Sequence, residues 1–194
     1  MEKGRTARRW IIVLILLFFM LFHQLDVSLL RPVVTLMVSV LNARKTWIEP
    51  IIIISVSVSI LFALFWGYIF DRHSRTKSLA LISFLWGATS WLGGISPTLA
   101  TYLISCATAG MDNLVASGVF SLVGDYFGMK NRGKILGLML VSQPLAIFFR
   151  IFVSNALTNA LNLRLFLLIM GVIAFIFSVL IHFFLREPKR GARE

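Results

Sequence analysis

GYIFDRHSRTK, residues Gly67–Lys77, lies between two long apolar stretches and places a glycine, an Asp-Arg pair and two further cations in a short connection. Apolar stretches recur along the chain, whose 194 residues are 58% hydrophobic and include 17 Phe and 5 Trp. A soluble domain of this size cannot hide so much apolar surface from water. The sequence therefore predicts a membrane protein in which this charged stretch is a loop at one face of the bilayer.

Six apolar runs are long enough to cross a hydrocarbon core of about 30 Å, which takes about 20 residues. Because the backbone must satisfy its own hydrogen bonds in lipid, each run is predicted to be a helix, and none shows the alternation of β-barrel strands. The predicted fold class is an all-α polytopic membrane protein, with residues 1–194 forming a single six-helix domain. The predicted spans are Trp10–Leu30, Ile51–Phe70, Ser78–Ile95, Thr101–Val123, Ile135–Leu157 and Leu165–Leu185, and the longest connection is Arg31–Pro50.

Positive charge is concentrated on one side of these spans. The chain carries 19 Lys and Arg against 8 Asp and Glu, a formal net charge of +11. All but five of these cations precede the first span, follow the last one or lie in the second and fourth connections, as is typical of cytoplasmic loops. Both termini are therefore predicted to be cytoplasmic, in the plasma membrane, and the charge requires no nucleic acid as partner. The five exceptions are Arg31, Arg44, Lys45 and Arg164 on the other side and Arg150 inside a span.

Common catalytic and metal-binding motifs do not occur in the sequence. It contains no Walker loop, no HExxH and no GxSxG, so nucleotide hydrolysis and the commoner protease chemistries have no signature. Cys106 is the single cysteine, which excludes an internal disulfide and a cysteine metal site. The sequence therefore predicts a protein that is not an enzyme and that holds no cofactor and no metal ion.

The charged loop has the spacing of a known signature. Gly67 is followed four residues later by Asp71 and Arg72, and then by Arg75 and Lys77. This pattern resembles the signature loop of the major facilitator superfamily, which lies between the second and third helices on the cytoplasmic side. In that family a small residue lets helix ends pack closely, and the carboxylate pairs with cations and with a helix N-terminus. The resemblance implies that this loop is a latch that closes the cytoplasmic side.

A second stretch, GDYFGMKNRGKILGL, strengthens the resemblance. It places Asp125 seven residues before Arg132, followed by Gly133 and Gly137, at the entry to the fifth span. This is similar to the second cytoplasmic loop of the same superfamily, and Gly128 stands where that loop usually has a proline. Two motifs in the appropriate loops, both on the basic side, indicate the amino-terminal six-helix half of a twelve-helix major facilitator fold.

The resemblance implies a secondary active transporter that moves a small or amphipathic, lipid-like solute, with protons as a candidate coupling ion. In this superfamily the solute lies between two six-helix halves that rock against each other. A single half would need a partner, either a second copy in a homodimer or a separately encoded half. The alternatives are a truncated remnant and a transport-inactive, membrane-embedded regulator or assembly partner.

A weaker similarity extends into the spans. HQLD, which ends at Asp26, is similar to an Asn-Tyr-x-Asp stretch in the first helix of Spinster-like transporters, and AGMDN, with Asp112, resembles their Gly-x-Gly-Glu stretch in the fourth helix. The arginine that those proteins carry a few residues earlier would fall near Ser105, where this chain has none. Branch membership therefore rests on fewer matching residues than the superfamily does.

Ionisable side chains inside the spans are the candidates for transport, because a membrane makes them costly unless they are paired or wetted. Asp112 is predicted near mid-bilayer, where loss of water favours the neutral acid that proton coupling needs, or a structural hydrogen bond. Asp26 and Arg150 are predicted towards the outer end, as an ion pair that is either a tie between helices or a gate. Arg150 could instead attract an anionic solute. His23 is predicted near the interface, as a proton relay or a structural histidine.

Overall fold

The structure is a computed structural model that describes residues 2–109, 115–157, 159–185 and Glu187. Every regular element in these residues is helical, and a short 3₁₀ turn, Lys45–Trp47, precedes the second helix. The predicted all-α class is confirmed. The helices are α1 Glu2–Val40, α2 Ile48–Arg72, α3 Arg75–Ile95, α4 Leu99–Ala109, α5 Val115–Tyr126, α6 Met129–Leu140, α7 Ser142–Ala156 and α8 Ala160–Phe184.

Five stretches of the described residues are long and apolar enough to cross a membrane. One of them joins α6 and α7, and the predicted span Thr101–Val123 corresponds to α4 and α5, with residues 110–114 outside the described part. The single six-helix domain therefore stays a prediction. The five stretches are Trp10–Val40, Lys45–Arg72, Arg75–Ile95, Asn131–Ala156 and Leu161–Phe184.

The predicted end of the first span at Leu30 is wrong, because α1 continues through Pro32 to Val40. Proline in a membrane helix costs one hydrogen bond, and a neighbouring group can satisfy the carbonyl that it leaves. After the helix ends at Val40, Asn42 has a positive φ of 52°, which asparagine tolerates. The N–H of Ala43 then bonds the carbonyl of Val38 over 2.9 Å, as in a Schellman motif.

A break between α6 and α7 lies at Val141, three residues before Pro144. Pro144 has no N–H to donate to the carbonyl of Leu140, so the regular ladder is interrupted there. Membrane helices commonly bend at such a position. The sequence Gln143-Pro144 predicts this bend, and the break agrees with it.

α3 and α8 form the closest helix pair, and glycines allow it. A Cβ on Gly171 would lie 2.0 Å from Trp91 Cδ1 and 3.0 Å from the carbonyl oxygen of Gly87. Two serines then bond across the pair, Ser83 Oγ to the Ala174 carbonyl at 2.7 Å and Ser178 Oγ to the Ala80 carbonyl at 2.8 Å. Small residues and crossing hydrogen bonds are what hold helices together in lipid, where apolar burial gives little.

Two apolar clusters fill the bundle, one towards each end. One contains Phe19, Trp86 and Leu122, and the other contains Met37, Tyr102 and Leu163. We call the end that carries the α2–α3 connection, the α5–α6 connection and Glu187 the basic end. The candidate site lies between the two clusters.

Candidate functional site

A carboxylate meets a tryptophan near the middle of the bundle. Asp26 lies 16 residues after Trp10 and 14 before Val40 in its apolar stretch, and Trp86 lies 11 residues after Arg75 and 9 before Ile95. Trp86 Nε1 donates a 2.7 Å hydrogen bond to Asp26 Oδ2. The predicted position of Asp26 towards the outer end is therefore wrong, because α1 extends ten residues beyond the predicted end of the span at Leu30.

His23 lies one turn before Asp26 and packs on the same tryptophan. Its side chain is buried, at 2% exposure, and its ring meets the Trp86 indole edge-on with 5.3 Å between centroids. The Phe19 ring lies 6.3 Å from that of His23 and 6.2 Å from that of Trp86. The predicted position near the interface is wrong. Trp86 thus contacts both the imidazole of His23 and the carboxylate of Asp26.

Asp26 also lines a small cavity of ≈ 60 Å³ between α1, α3 and α4. A cavity of this size holds only a few water molecules or one small polar group. Its walls are fixed by bonds from side chain to backbone: Ser105 Oγ donates to the Thr89 carbonyl at 2.9 Å, and Thr89 Oγ1 donates to the Trp86 carbonyl at 3.0 Å. The polar lining residues are Asp26, Thr89, Ser90, Tyr102, Ser105 and Cys106.

The sequence motifs do not predict the lining of this cavity, although the spacing of its residues along two helices indicates it. On each helix the relevant residues follow the i, i+3, i+4, i+7 spacing that places side chains on one face. These stripes of polar and small residues differ from the Phe and Leu around them. They are Trp86, Thr89, Ser90 and Gly93 on α3, and Tyr102, Ser105, Cys106 and Ala109 on α4.

Arg150 takes a different role from the predicted one. Within the described residues, Arg150 and Asp26 do not form the predicted ion pair. Arg150 Nη1 instead donates a long, 3.5 Å bond to the carbonyl of Ser28, which Pro32 cannot reach because it has no N–H. The arginine therefore compensates the proline within α1, and it lies six residues before the end of α7.

Asp112, the other predicted intramembrane carboxylate, lies outside the described residues. The described helix before it, α4, ends at Ala109, and the described helix after it, α5, begins at Val115. Its role in proton coupling stays a prediction. In the described part, Asp26 is the carboxylate at mid-span.

The two signature loops meet at the basic end. Arg75 forms an ion pair with Asp125, and both side chains are largely buried, at 18% and 15% exposure. The guanidinium of Arg132 packs on Gly124, where a Cβ would lie 2.7 Å from Nη2. The two motifs are therefore in contact in the structure, with Asp125 as the acid that binds α3.

The other residues of the signature loop face outwards. Asp71, Arg72 and Lys77 are exposed, and the Arg72 guanidinium lies 4.7 Å from the centre of the Tyr68 ring. Nothing lies within 4 Å of where a Cβ would be on Gly67 or Gly133. The role of Asp71 in a latch stays a prediction, since a latch needs a surface beyond this bundle.

Glu187 caps the N-terminus of α3, a contact that no sequence motif predicts. The N–H of Arg75 donates to Glu187 Oε1 at 2.9 Å, and the N–H of Thr76 donates to Oε2 at 3.0 Å. The hydroxyls of Ser74 and Thr76 donate to Oε2 as well. A carboxylate at this position also meets the positive end of the helix dipole.

These bonds set the charge state of Glu187. Burial alone would raise its pKa, but the bonds from Thr76, Arg75 and Ser74 outweigh burial and hold the pKa below its ordinary value of 4.5. A lowered folded-state pKa means that the contact stabilises the fold above pH 4.5 and is lost as the pH falls below that value.

Glu187→Gln is therefore expected to lower the melting temperature in detergent at pH 7, because the amide cannot accept on both oxygens. The difference from the parent should begin to shrink as the pH falls below about 4.5 and vanish below the lowered pKa of the folded parent, where the parent is neutral as well. Melting followed by tryptophan fluorescence at several pH values measures this. Glu49→Gln is the control, since Glu49 pairs with Arg31 in the open, at 59% and 70% exposure, and should change little. A difference for Glu187→Gln that is independent of pH would contradict the role of its charge.

Residues 11–194 of the chain match the sequence profile of the Major Facilitator Superfamily. Similar solved structures include two crystal structures of a bacterial homologue of the human lysosomal transporter Spinster, both inward-facing. The unoccupied one has a TM-score of 0.76 and 14% identity over 96% of this chain. The occupied one has a TM-score of 0.75 and 15% identity over 95% of this chain.

The likeness covers only part of the two solved structures. The chain covers 45% and 46% of the length of those two structures, so it spans less than half of them. At this identity the likeness concerns the fold alone. No curated protein matches the sequence.

Proposed function

The chain belongs to the Major Facilitator Superfamily, a family of membrane transporters and not of enzymes, and from this premise we propose that it forms one half of a secondary active transporter. It moves a small or amphipathic solute across the membrane, and protons are the coupling ion. Its two termini are cytoplasmic, and its membrane is the plasma membrane. The charge bias towards the basic end supports this orientation.

The observation that carries the proposal is the Asp26 carboxylate at mid-span, bonded by Trp86 and open to a polar cavity. A carboxylate at such a depth is costly, and one that can take up and release a proton is a means of coupling. Trp86 occupies only Oδ2 by its 2.7 Å bond. The indole N–H can donate to the neutral acid as well as to the carboxylate, so this bond need not break when Asp26 takes up a proton.

The proposal includes a second six-helix unit, because solute sites in this superfamily lie between two halves. The open space beside Gly67, Gly133 and Gly137 supports it, since these glycines of the two signature loops have no neighbour within 4 Å of a Cβ position. A homodimer and a separately encoded half both meet this need. In either arrangement Asp71 and Arg72 would contact the second unit and close the basic end.

Uptake into liposomes tests the function. The purified chain, alone or with a partner half that co-purifies with it, is reconstituted and given an inward proton gradient with a panel of labelled small and amphipathic solutes. We expect at least one solute to accumulate together with acidification of a trapped pH dye, and both to stop when an ionophore collapses the gradient. Accumulation that is indifferent to the gradient would contradict proton coupling.

A second candidate function is that of a transport-inactive, membrane-embedded partner. The observation that favours it is that Asp71 and Arg72 of the signature loop face outwards, where another membrane protein would contact them. Such a partner would need its fold and its surface but not its intramembrane charges. Cells in which Asp26, Asp112 and Arg150 are all neutralised would then keep their phenotype, whereas a transporter would lose it.

A further inference from the structure

We propose that the outer surface of α3 and α8 at the basic end binds a glycerophospholipid with an anionic head group. This site is separate from the solute cavity and does not depend on the transport cycle. A groove of ≈ 390 Å³ runs between the two helices there. Its lining residues are Lys77, Ala80, Leu81, Phe84, Ser178, Val179, His182 and Phe183.

The groove changes from polar to apolar along its length. Lys77 lies two residues after the start of α3, and His182 lies two residues before the end of α8, so both stand at the basic end. Deeper along the same helices the walls are exposed apolar side chains, with Leu81, Phe84 and Val179 at 50%, 51% and 55% exposure. A phospholipid has the same order, with its phosphate at the interface and its chains below.

The floor of the groove is closed by protein. Ser178 Oγ donates to the Ala80 carbonyl across the helix pair at 2.8 Å, and both residues line the groove. The serine hydroxyl is therefore already used as a donor. This leaves an apolar channel on the outside of the bundle, which an acyl chain fits and a free anion does not.

Charge complementarity selects an anionic head group. Among the described residues, Lys77 has no carboxylate within ion-pairing distance, whereas its neighbour Arg75 is held by Asp125. The side chain of Lys77 is exposed beside that of His182, which is also exposed. Basic groups between membrane helices at an interface are typical sites for phosphate head groups.

Native mass spectrometry of the full chain in mild detergent tests this site. We expect phosphatidylglycerol to be retained in preference to phosphatidylcholine. Lys77→Gln should weaken phosphatidylglycerol binding roughly fivefold, the effect of one lysine near a membrane surface. Lys134→Gln is the matched control, because Lys134 is exposed on α6 at the same end and does not line the groove.

A second pair of variants tests the groove without changing charge. Val179→Trp fills it and should abolish retention, while Val172→Trp places the same side chain on a 45% exposed position of α8 outside the groove and should not. Equal weakening by Lys77→Gln and Lys134→Gln would overturn the proposal in favour of diffuse attraction. Displacement of the lipid by inorganic phosphate would overturn it in favour of a free-anion site, and equal retention of both lipids would overturn the choice of head group.

Discussion

Asp26→Asn is expected to reduce proton-driven solute uptake to the level of protein-free liposomes while the bundle stays folded. Asparagine has the same shape, and its Oδ1 can still accept the 2.7 Å bond from Trp86 Nε1. The variant cannot carry a proton. Because the hydrogen bond is kept, the free energy of unfolding should change by less than about 1 kcal/mol.

Uptake driven by a proton gradient and the melting temperature in detergent measure the two sides of this prediction. Glu49→Gln is the control for uptake. Glu49 lies at the end of the bundle opposite the basic end, where its side chain is 59% exposed and paired with Arg31. Its loss should leave uptake unchanged. If Asp26→Asn also transports like the parent, with the same pH dependence, then Asp26 is not the coupling residue.

Gly171→Ala is expected to produce the largest loss of stability among single methyl additions in the described part of α8. The new Cβ would lie 2.0 Å from Trp91 Cδ1 and 3.0 Å from the Gly87 carbonyl oxygen. Trp91 cannot turn away freely, because its Nε1 donates to the Leu168 carbonyl at 3.0 Å. Overpacking of this kind costs about 1–3 kcal/mol, and the separation of α3 from α8 would add to it.

Gly137→Ala gives the matched control for that prediction. Gly137 is also a helical glycine, in α6, but nothing lies within 4 Å of its Cβ position. Alanine there should be neutral or should stabilise the helix by up to about 1 kcal/mol. Thermal unfolding in detergent should therefore order the proteins as Gly171→Ala below the parent, and Gly137→Ala at or above it. Equal melting of Gly171→Ala and Gly137→Ala would contradict the close packing of α3 on α8.

The sequence predicted the membrane class and the superfamily because both rest on local patterns. Apolar runs are visible in any window, and the signature loops hold their residues at fixed spacing, as between Asp125 and Arg132. The contact between the two loops, in which Arg75 is bonded to Asp125, joins residues 50 positions apart and appears only in the structure. The membrane class and the superfamily depend on residues close together in the sequence, so both could be predicted without the structure.

The depth of Asp26 could not be predicted, because it depends on where α1 ends. Pro32 has the appearance of a helix end, yet the helix passes through it, and the carbonyl of Ser28 finds its donor in Arg150 of α7. That compensation comes from a residue 122 positions away. The helix is followed by Asn42 in a left-handed conformation, and asparagine predicts a helix end less strongly than proline does.

The tryptophan partner and the helix cap were also beyond sequence reasoning. Trp86 meets Asp26 across 60 positions, and Glu187 meets Thr76 across 111. Neither pair shares a motif, so only the assembled bundle brings these groups together. The polar and small residues on one face of α3, from Trp86 to Gly93, predict one wall of the cavity. They do not predict that the Asp26 carboxylate lies opposite that wall.

The most direct test of the central claim, that Asp26 exchanges a proton within the membrane, requires no knowledge of the solute. Dicyclohexylcarbodiimide reacts with the protonated form of carboxylic acids in apolar surroundings, and peptide mass mapping locates the adduct. We predict an adduct on Asp26 that is more abundant at mildly acidic than at alkaline pH and that disappears in Asp26→Asn. An unlabelled Asp26 at every pH, or labelling that does not change with pH, would contradict the account.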